Sequence, residues 1–159
     1  MNLRTFLTNL PSFSGFSPQE IDTLEGVLLV ASHPEGHVFT RQGELADAMY
    51  ILLDGSVRVT QHDNIAGLSQ DVKELRAGEL FGLLSLISQL PAVATCTATS
   101  QVSAAALSRE NFDRLAHEAP QLGHHLNYMV AVQLARDLQN RNRSMRELLK
   151  REAATVAAR

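Results

Sequence analysis

The chain has 159 residues, 45% of them hydrophobic, which is enough for one domain with a real core and an additional segment. Its formal net charge of −3 argues against a general nucleic-acid-binding protein, because such proteins are usually basic. The single cysteine, Cys96, excludes an internal disulfide, and the sequence has neither a membrane-spanning apolar run nor a signal-peptide pattern, so we expect a cytoplasmic protein with no membrane partner.

The first 28 residues predict two short helices. The first is indicated by apolar residues at helical spacing, namely Leu3, Phe6, Leu7 and Leu10. Pro11 then interrupts the pattern. Ser17 is a good N-cap for the second helix, Pro18 occupies the first helical position, and Glu20 is placed to close a capping box.

Residues 29–108 predict a β-structure of short strands. The strand-like runs are residues 29–32, 37–40, 49–53, 56–61, 71–75, 95–99 and 103–107. Turn signals separate these runs, among them residues 42–44 and 64–67. Asp54 and Gly55, between two such runs, predict a β-hairpin. Because no long helix separates the strands, a small sandwich or barrel is favoured over a doubly wound α/β fold.

Residues 78–95 have the pattern of a phosphate-binding loop. Gly78 and Gly82 permit tight backbone conformations, and residues 83–88 can form a short helix whose free N–H groups face an anion. Pro91 ends that segment. Yet residues 78–95 contain no cationic side chain, and residues 80–95 contain no carboxylate. The loop therefore has the backbone of an anion site without its charged side chains.

After residue 107 the chain becomes helical again. Ser108 can cap a helix from Arg109 to about residue 116, and Pro120 opens a last helix that we expect to run to about residue 150, followed by a fraying alanine-rich tail. Spacings of three and four residues form a seam typical of helix pairing, made of Ala131, Leu134, Leu138, Arg141, Met145 and Leu148. The same helix is basic, through Arg136, Arg141, Arg143, Arg146, Lys150 and Arg151. That charge fits either an acidic partner or a solvated helix face.

No catalytic motif or metal site is predicted. The sequence contains no nucleophile–base motif, P-loop or dinucleotide-binding fingerprint. His33 and His37 flank a turn rather than share a helix face, and a metal site would need a third ligand. Cys96 lies in an apolar run without a basic neighbour, so we expect a buried, unreactive thiol.

Taken in order, these segments resemble the cyclic nucleotide-binding domain family, which includes the catabolite activator protein. The matching residues are Pro34 to Gly36, Gln42 to Glu44, Asp47, Met49 to Ile51, Asp54 to Val59, Leu75, Gly78, Glu79, Phe81, Gly82, Pro91, Ala94, Thr95, Arg109 and Phe112. The resemblance implies a mainly β fold with flanking helices, an eight-stranded jelly-roll or β-roll, followed by a long C-terminal helix. We expect residues 1–118 to form the first unit and residues 119–159 to form the lid or dimerisation helix.

The resemblance also implies that residues 78–95 are the family's phosphate-binding cassette, called the cassette below, with Gly82, Leu83, Leu84, Ala92 and Val93 as pocket positions. The family has a ribose-binding glutamate where this chain has Leu83, and a phosphate-binding arginine where it has Ala92. Its next position is often serine or threonine, and here it is Val93. We therefore expect the pocket to be filled by its own side chains or shaped for a more apolar ligand.

These departures predict a non-enzymatic regulatory domain that binds cyclic AMP or cyclic GMP weakly or not at all. One alternative is a ligand-gated module that binds a nucleotide or another small anion through backbone amides, with Arg141 and Asn142 as lid contacts. Another is a dimerisation scaffold, a homodimer through Leu134, Leu138, Met145 and Leu148. The chain could be part of a larger signalling protein with a downstream partner, and no nucleic acid is expected as a ligand.

Overall fold

The structure, a computed structural model, describes residues 1–63 and 68–158. These residues form two four-stranded antiparallel sheets. The strands are β1 (Leu29–His33), β2 (Val38–Thr40), β3 (Ala48–Asp54), β4 (Val57–Asp63), β5 (Leu68–Leu75), β6 (Leu80–Phe81), β7 (Thr95–Ala98) and β8 (Val102–Ser108). Each predicted strand is present, and only the two-residue β6 was not predicted. The turn predicted at residues 64–67 lies outside the described residues.

Helices flank the sheets at both ends of the chain. They are α1 (Leu3–Asn9), α2 (Pro18–Val27), α3 (Leu84–Ile87), α4 (Arg109–Glu118) and α5 (Pro120–Ala157), with a 3-10 turn at Pro11–Phe13. The predicted capping box opens α2: Ser17 Oγ accepts from the Glu20 N–H at 3.2 Å, and Glu20 Oε2 accepts from the Ser17 N–H at 2.8 Å. Ser108 caps α4 as predicted, by accepting from the Asn111 N–H at 3.0 Å.

The first sheet, in the order β1-β8-β3-β6, is buried on both faces around β3. Met49 and Ile51 point into a core cluster shared with the helices, whereas Leu52 points into a second cluster shared with the other sheet, β2-β7-β4-β5. Since successive side chains of a strand face opposite sides, β3 is apolar at nearly every position. The first sheet is thus the middle layer between the helices and the second sheet.

The predicted hairpin at Asp54 and Gly55 is wrong. β3 pairs with β6 and β8, whereas β4 pairs with β5 and β7 in the other sheet. Gly55 has φ +89°, and a Cβ there would lie 2.4 Å from the Gln101 carbonyl oxygen. The turn therefore connects the two sheets, and it passes so close to the Gln101 backbone that only glycine fits. The turn residues alone do not distinguish such a connection from a hairpin.

Helix α5 has two dissimilar parts. Its first turns pack in the helical core, and a Cβ at Gly123 would lie 2.9 Å from Ala116 of α4, so the two helices touch closely. The fully buried residues of α5 end at Val130, and Leu134 is partly buried. From residue 138 to the end of the helix every residue is exposed, and residues 138–157 are called the outer segment below. The helix runs to Ala157 rather than to about residue 150, because its alanine-rich end favours helix.

Candidate functional site

The cassette, residues 78–95, contains strand β6 and turns where that strand ends. Gly82 follows Phe81 with φ +72°, a left-handed conformation that side chains rarely adopt. A Cβ at Gly82 would also lie 2.8 Å from the Ala48 carbonyl oxygen, across the β3–β6 pairing. The backbone at this position therefore requires glycine, as the sequence predicted for a tight loop.

The short helix α3 is held by hydrogen bonds to its own start. The hydroxyl of Ser85, a buried polar side chain, donates to the Gly82 carbonyl oxygen at 2.6 Å. Leu83 precedes the helix without any side-chain cap. With four residues, α3 is little more than one turn, so its dipole is small and its N–H groups offer an anion limited stabilisation.

Arg109 fastens the far end of α3 to the first turn of α4. Its Nη1 donates to the Ser88 carbonyl oxygen at 3.2 Å and to the Ser85 carbonyl oxygen at 3.5 Å, while its backbone N–H donates to the Asp47 carbonyl oxygen at 2.8 Å. The guanidinium thereby satisfies carbonyl groups that end a helix. Sequence reasoning noted Arg109 only as the start of a predicted helix and as part of the family resemblance. Its role depends on β8 ending beside the cassette, which no local pattern reveals.

Leu83 lies in the hydrophobic core. Only 4% of its surface is exposed, and it belongs with Leu86 to the cluster formed by the helices and the first sheet. Leu84, the next predicted pocket position, is half-buried. The side chain of Leu83 therefore anchors the cassette to the core. Its assignment to the ligand pocket stays a prediction.

Ala92 and Val93 lie at the other end of the cassette, beside the predicted turn at residues 42–44. The Gly43 N–H donates to the Ala92 carbonyl oxygen at 2.8 Å, and the Ala92 N–H donates to the Glu44 carbonyl oxygen at 2.8 Å. Ala92 is half-buried, whereas Val93 is 50% exposed. The main chain at Ala92 is thus fixed by the protein itself, and neither side chain brings a charge or a hydrogen-bonding group.

Aromatic rings fill the interior next to the start of the cassette. Phe81 stacks on Tyr50 with ring centroids 5.1 Å apart, and Phe39 meets both rings edge-on at 5.2 and 5.0 Å. Burial raises the pKa of Tyr50, and the nearby Asp47 carboxylate adds to that rise. Phe81 therefore couples the cassette backbone to the packed interior of the roll.

His33 and His37 form a stacked pair at the rim of the roll. Their ring centroids are 4.2 Å apart with the planes inclined by 25°, and Phe39 meets both rings edge-on. Burial, followed by the neighbouring His37, lowers the pKa of His33. No group of three or more His, Cys, Asp or Glu side chains that could hold a metal ion occurs within the described ranges.

Cys96 lies inside the roll, as predicted. Its side chain is buried, and burial raises the pKa of its thiol, with a smaller opposing effect from a hydrogen bond to Thr40. A thiol with a raised pKa and no access to solvent is a poor nucleophile. Cys96 therefore contributes packing rather than chemistry.

Two shallow depressions open on the surface, and cassette residues line neither of them. One, of about 310 Å³, lies between α2 and the start of α5 and is lined by Gln19, Glu20, Thr23, Ala119, Pro120, Gln121 and Leu122. The other, of about 520 Å³, lies beside the histidine pair and is lined by Ser32, His33, Pro34, Glu35 and Gln101. Beside the first depression, His125 Nδ1 lies 2.8 Å from Glu20 Oε1, which joins α5 to α2.

The predicted lid and seam residues are mostly on the outer segment. Arg141 and Asn142 are exposed there, beyond the last residue of α5 that is buried in the core. The apolar seam residues of the outer segment are also exposed, with Leu138 at 60%, Met145 at 58% and Leu148 at 55%. Leu134 packs partly against the core. No helix in the described part of the chain is long and apolar enough to cross a membrane.

Comparison with known proteins identifies the fold and the family. The family model for the cyclic nucleotide-binding domain matches residues 30–119. The cyclic AMP receptor protein of Thermus thermophilus is 30% identical over 124 residues, which are 78% of this chain and 57% of the relative. The crystal structure of the catabolite activator protein from Thermus thermophilus superposes with a TM-score of 0.72 at 30% identity, covering 87% of this chain and 62% of that one.

A third relative is a regulatory subunit of a cAMP-independent protein kinase A from Trypanosoma brucei. It superposes with a TM-score of 0.71 at 27% identity, covering 89% of this chain and 49% of that one. The superposed form is a triple mutant, with one substitution to arginine, and it is described as bound to cAMP in its A site. The family match and these relatives confirm the predicted β-roll and the predicted cyclic nucleotide-binding type of the domain.

Proposed function

Because this chain belongs to the cyclic nucleotide-binding domain family, we propose that it is a regulatory domain that binds cyclic AMP and cyclic GMP weakly or not at all. One observation carries this proposal: Ala92 stands where the family places the cation that pairs with the cyclic phosphate. The chain spans 57% of the cyclic AMP receptor protein that it resembles, so its downstream partner and the pathway it regulates are part of the proposal.

The missing charge has a large expected effect on affinity. A cyclic nucleotide carries a negative phosphate, and an arginine neutralises it through two charge-assisted hydrogen bonds. Removing one partner of such a buried pair costs about 2–5 kcal/mol, which weakens binding roughly 30-fold to several thousand-fold. Backbone N–H groups at the four-residue helix α3 offset only a small part of that loss.

The burial of Leu83 supports the same proposal. A glutamate at this position would supply the acceptor for a ribose hydroxyl, but the side chain here is apolar and packs in the core. The relative from Trypanosoma brucei adds support from outside the chain. It is named cAMP-independent, and the form described with cAMP is one into which an arginine was introduced.

Titration calorimetry with cyclic AMP and cyclic GMP tests the proposal directly. We expect no binding at micromolar nucleotide, and Ala92→Arg should improve affinity at least 30-fold by restoring the cation. Gln89→Arg is the matched control, because it adds the same charge at an exposed cassette position that does not replace the phosphate ligand. Micromolar binding by the unaltered chain would contradict the proposal.

The ligand-gated alternative gives a separate outcome in the same titration. In that alternative Arg141 folds onto the cassette and supplies the missing cation, with Asn142 as a second lid contact. If the unaltered chain does bind a nucleotide, Arg141→Ala should then abolish the affinity. An unchanged affinity would exclude Arg141 as the cation.

Pairing of two copies through α5 is the second function that an observation favours. The outer segment exposes Leu138, Met145 and Leu148 on one side, without a covering element among the described residues. Most of the stability of a helix in a protein comes from packing of its apolar face, so a partner for that side would stabilise the segment. Light scattering at micromolar concentration should show a dimer, and a monomer at all concentrations would contradict pairing.

A further inference from the structure

Helix α5 carries a row of basic side chains, called the basic stripe below. Its members recur along the helix at spacings of seven, three and four residues and are Arg136, Arg143, Arg146 and Lys150. With Leu138 at heptad position a, Arg146 occupies position b and the other three occupy position f. The basic stripe therefore lies on the side of the helix away from the apolar seam, and it is about 21 Å long. All of its side chains are exposed.

The helix dipole does not account for the basic stripe. Cations stabilise a helix through its dipole only near the last turn. Because α5 continues to Ala157, its last turn contains no basic residue. Like charges three or four residues apart destabilise an isolated helix, and Arg146 has such neighbours in Arg143 and Lys150. The basic stripe therefore lowers the intrinsic stability of the helix, so its charge is better explained by a contact with another molecule.

The basic stripe has no ion-pair partner in the described part of the chain. Among residues 1–63 and 68–158, no hydrogen bond or ion pair engages its side chains. Asp137, next to Arg136, accepts instead from Gln133 Nε2 at 3.1 Å. Glu147 lies four residues after Arg143 and offsets at most one of the cations. A row of unpaired positive charge remains on the surface of the helix, and an anionic surface complements it.

We propose that the basic stripe is a docking surface for an acidic helix of a partner protein. The cations at heptad position f recur every seven residues, about 10 Å apart, and a helix lying alongside presents carboxylates at the same repeat. The inference rests neither on nucleotide binding nor on the pairing of two copies, because the basic stripe stays accessible whether or not the seam is covered.

The charge of the remaining chain favours an acidic helix over a larger polyanion. The outer segment has five cations and two carboxylates, a net charge of +3, so the chain's total of −3 leaves −6 on the other residues. A nucleic-acid duplex or an anionic membrane that extends past the basic stripe would face this acidic remainder. A membrane would also have to accept Arg141, which interrupts the apolar seam. An acidic helix of matching length contacts the basic stripe alone.

Fluorescence anisotropy with the full chain tests the proposal. The probe is a labelled alanine-based helical peptide of about 20 residues with glutamates along one face, long enough to span the basic stripe. We expect binding at low salt that weakens as the salt concentration rises, and no binding of the same peptide with glutamine in place of glutamate. Absence of binding at millimolar glutamate peptide would overturn the proposal.

Two double variants of equal net charge locate the binding surface. Arg143→Gln combined with Lys150→Gln removes two cations of the basic stripe and should weaken binding of the glutamate peptide on the order of tenfold. Arg141→Gln combined with Arg151→Gln is the matched control, because it removes two cations of the same helix outside the basic stripe. The control should change the affinity about twofold or less. Equal losses in the two variants would indicate general charge attraction and overturn the basic stripe as the site.

Two further probes test the choice of partner. Vesicles containing phosphatidylserine and a labelled DNA duplex are each titrated with the unaltered chain at physiological ionic strength. We expect neither to bind, because both would face the acidic remainder of the chain. Binding of either probe that is lost in the Arg143→Gln and Lys150→Gln double variant would overturn the acidic helix as the occupant.

Discussion

The cassette and the outer segment of α5 differ in what holds them. Hydrogen bonds from Arg109 and Ser85 fix α3, and paired backbone bonds to the turn at residues 42–44 fix Ala92. The outer segment is exposed from residue 138 to its end. The cassette is therefore held in shape by the domain itself and needs no ligand for it. The outer segment has only its intrinsic helix propensity, and any further stabilisation has to come from association with a partner.

Because of this difference, the unfolding free energy of the single domain and the association of two copies should respond to different substitutions. Changes in the cassette should alter the unfolding free energy of the single domain, whatever the protein concentration. Changes on the seam of the outer segment should leave the dilute monomer almost unaffected and alter only its association, because binding stabilises a fold by mass action.

Leu83→Ala should lower the unfolding free energy by about 2–5 kcal/mol, because it removes a side chain from the packed helical core. Leu138→Ala is the matched change on the outer segment, where the leucine is 60% exposed. It should change stability by less than about 0.5 kcal/mol in dilute solution. Urea unfolding at sub-micromolar protein measures both, and similar losses in the two variants would erase the distinction between the regions.

Gly82→Ala should destabilise the domain by about 1–3 kcal/mol, since an added Cβ meets the Ala48 carbonyl oxygen at 2.8 Å and φ is +72°. Gly26→Ala provides a control of opposite sign. It lies in α2 with nothing within 4 Å of an added Cβ, and alanine there should stabilise by up to about 1 kcal/mol. The urea midpoints of the two variants should move in opposite directions. An unchanged midpoint for Gly82→Ala would show that the cassette backbone adjusts to the added Cβ.

Much of the fold could be predicted because the local sequence signals agree with the residues that are buried in the structure. Short-range hydrogen bonds could be predicted from the local sequence, namely the capping box at Ser17 and Glu20 and the cap at Ser108. The strands followed from short apolar runs between turns. Strand β6 was missed because two residues carry no alternation, and the turn at Gly55 was misassigned because turn residues do not say which sheet the next strand joins.

The candidate site was less accessible to sequence reasoning. The glycine at position 82 was identified from its place in a loop, and its conformation agrees. The orientation of the Leu83 side chain was not identified from the sequence, because one helical turn can direct a leucine either into a pocket or into the core. Likewise, the bonds from Arg109 join residues more than 20 positions apart, and only the pairing of β3 with β8 brings them together.

Arg109→Gln should cost about 1–2 kcal/mol, because it removes charge-assisted hydrogen bonds to the carbonyl oxygens of Ser85 and Ser88. The bonds are partly buried but long, at 3.5 and 3.2 Å, which limits the effect. Arg114→Gln is the control on the same helix, where, among the described residues, the guanidinium bonds to Asn111 at the surface. Urea unfolding should separate the two variants. Equal effects would mean that Arg109 does not fasten the cassette.

Acidification should produce a small effect, and we expect it in the domain rather than in the outer segment. The pKa of His33 is lowered by burial and by His37, so the folded chain binds fewer protons there than the unfolded chain. The stability that depends on neutral His33 is therefore present above its ordinary pKa, about 6.5, and is lost as the pH falls below it. Urea midpoints between pH 7.5 and 5.5 should fall less steeply for His33→Gln than for the unaltered chain, while His124→Gln, at an exposed position, keeps the original slope. The outer segment contains no histidine, so the dimer dissociation constant should stay constant over this range. A constant that changes in parallel with the urea midpoint would show that the two regions are coupled.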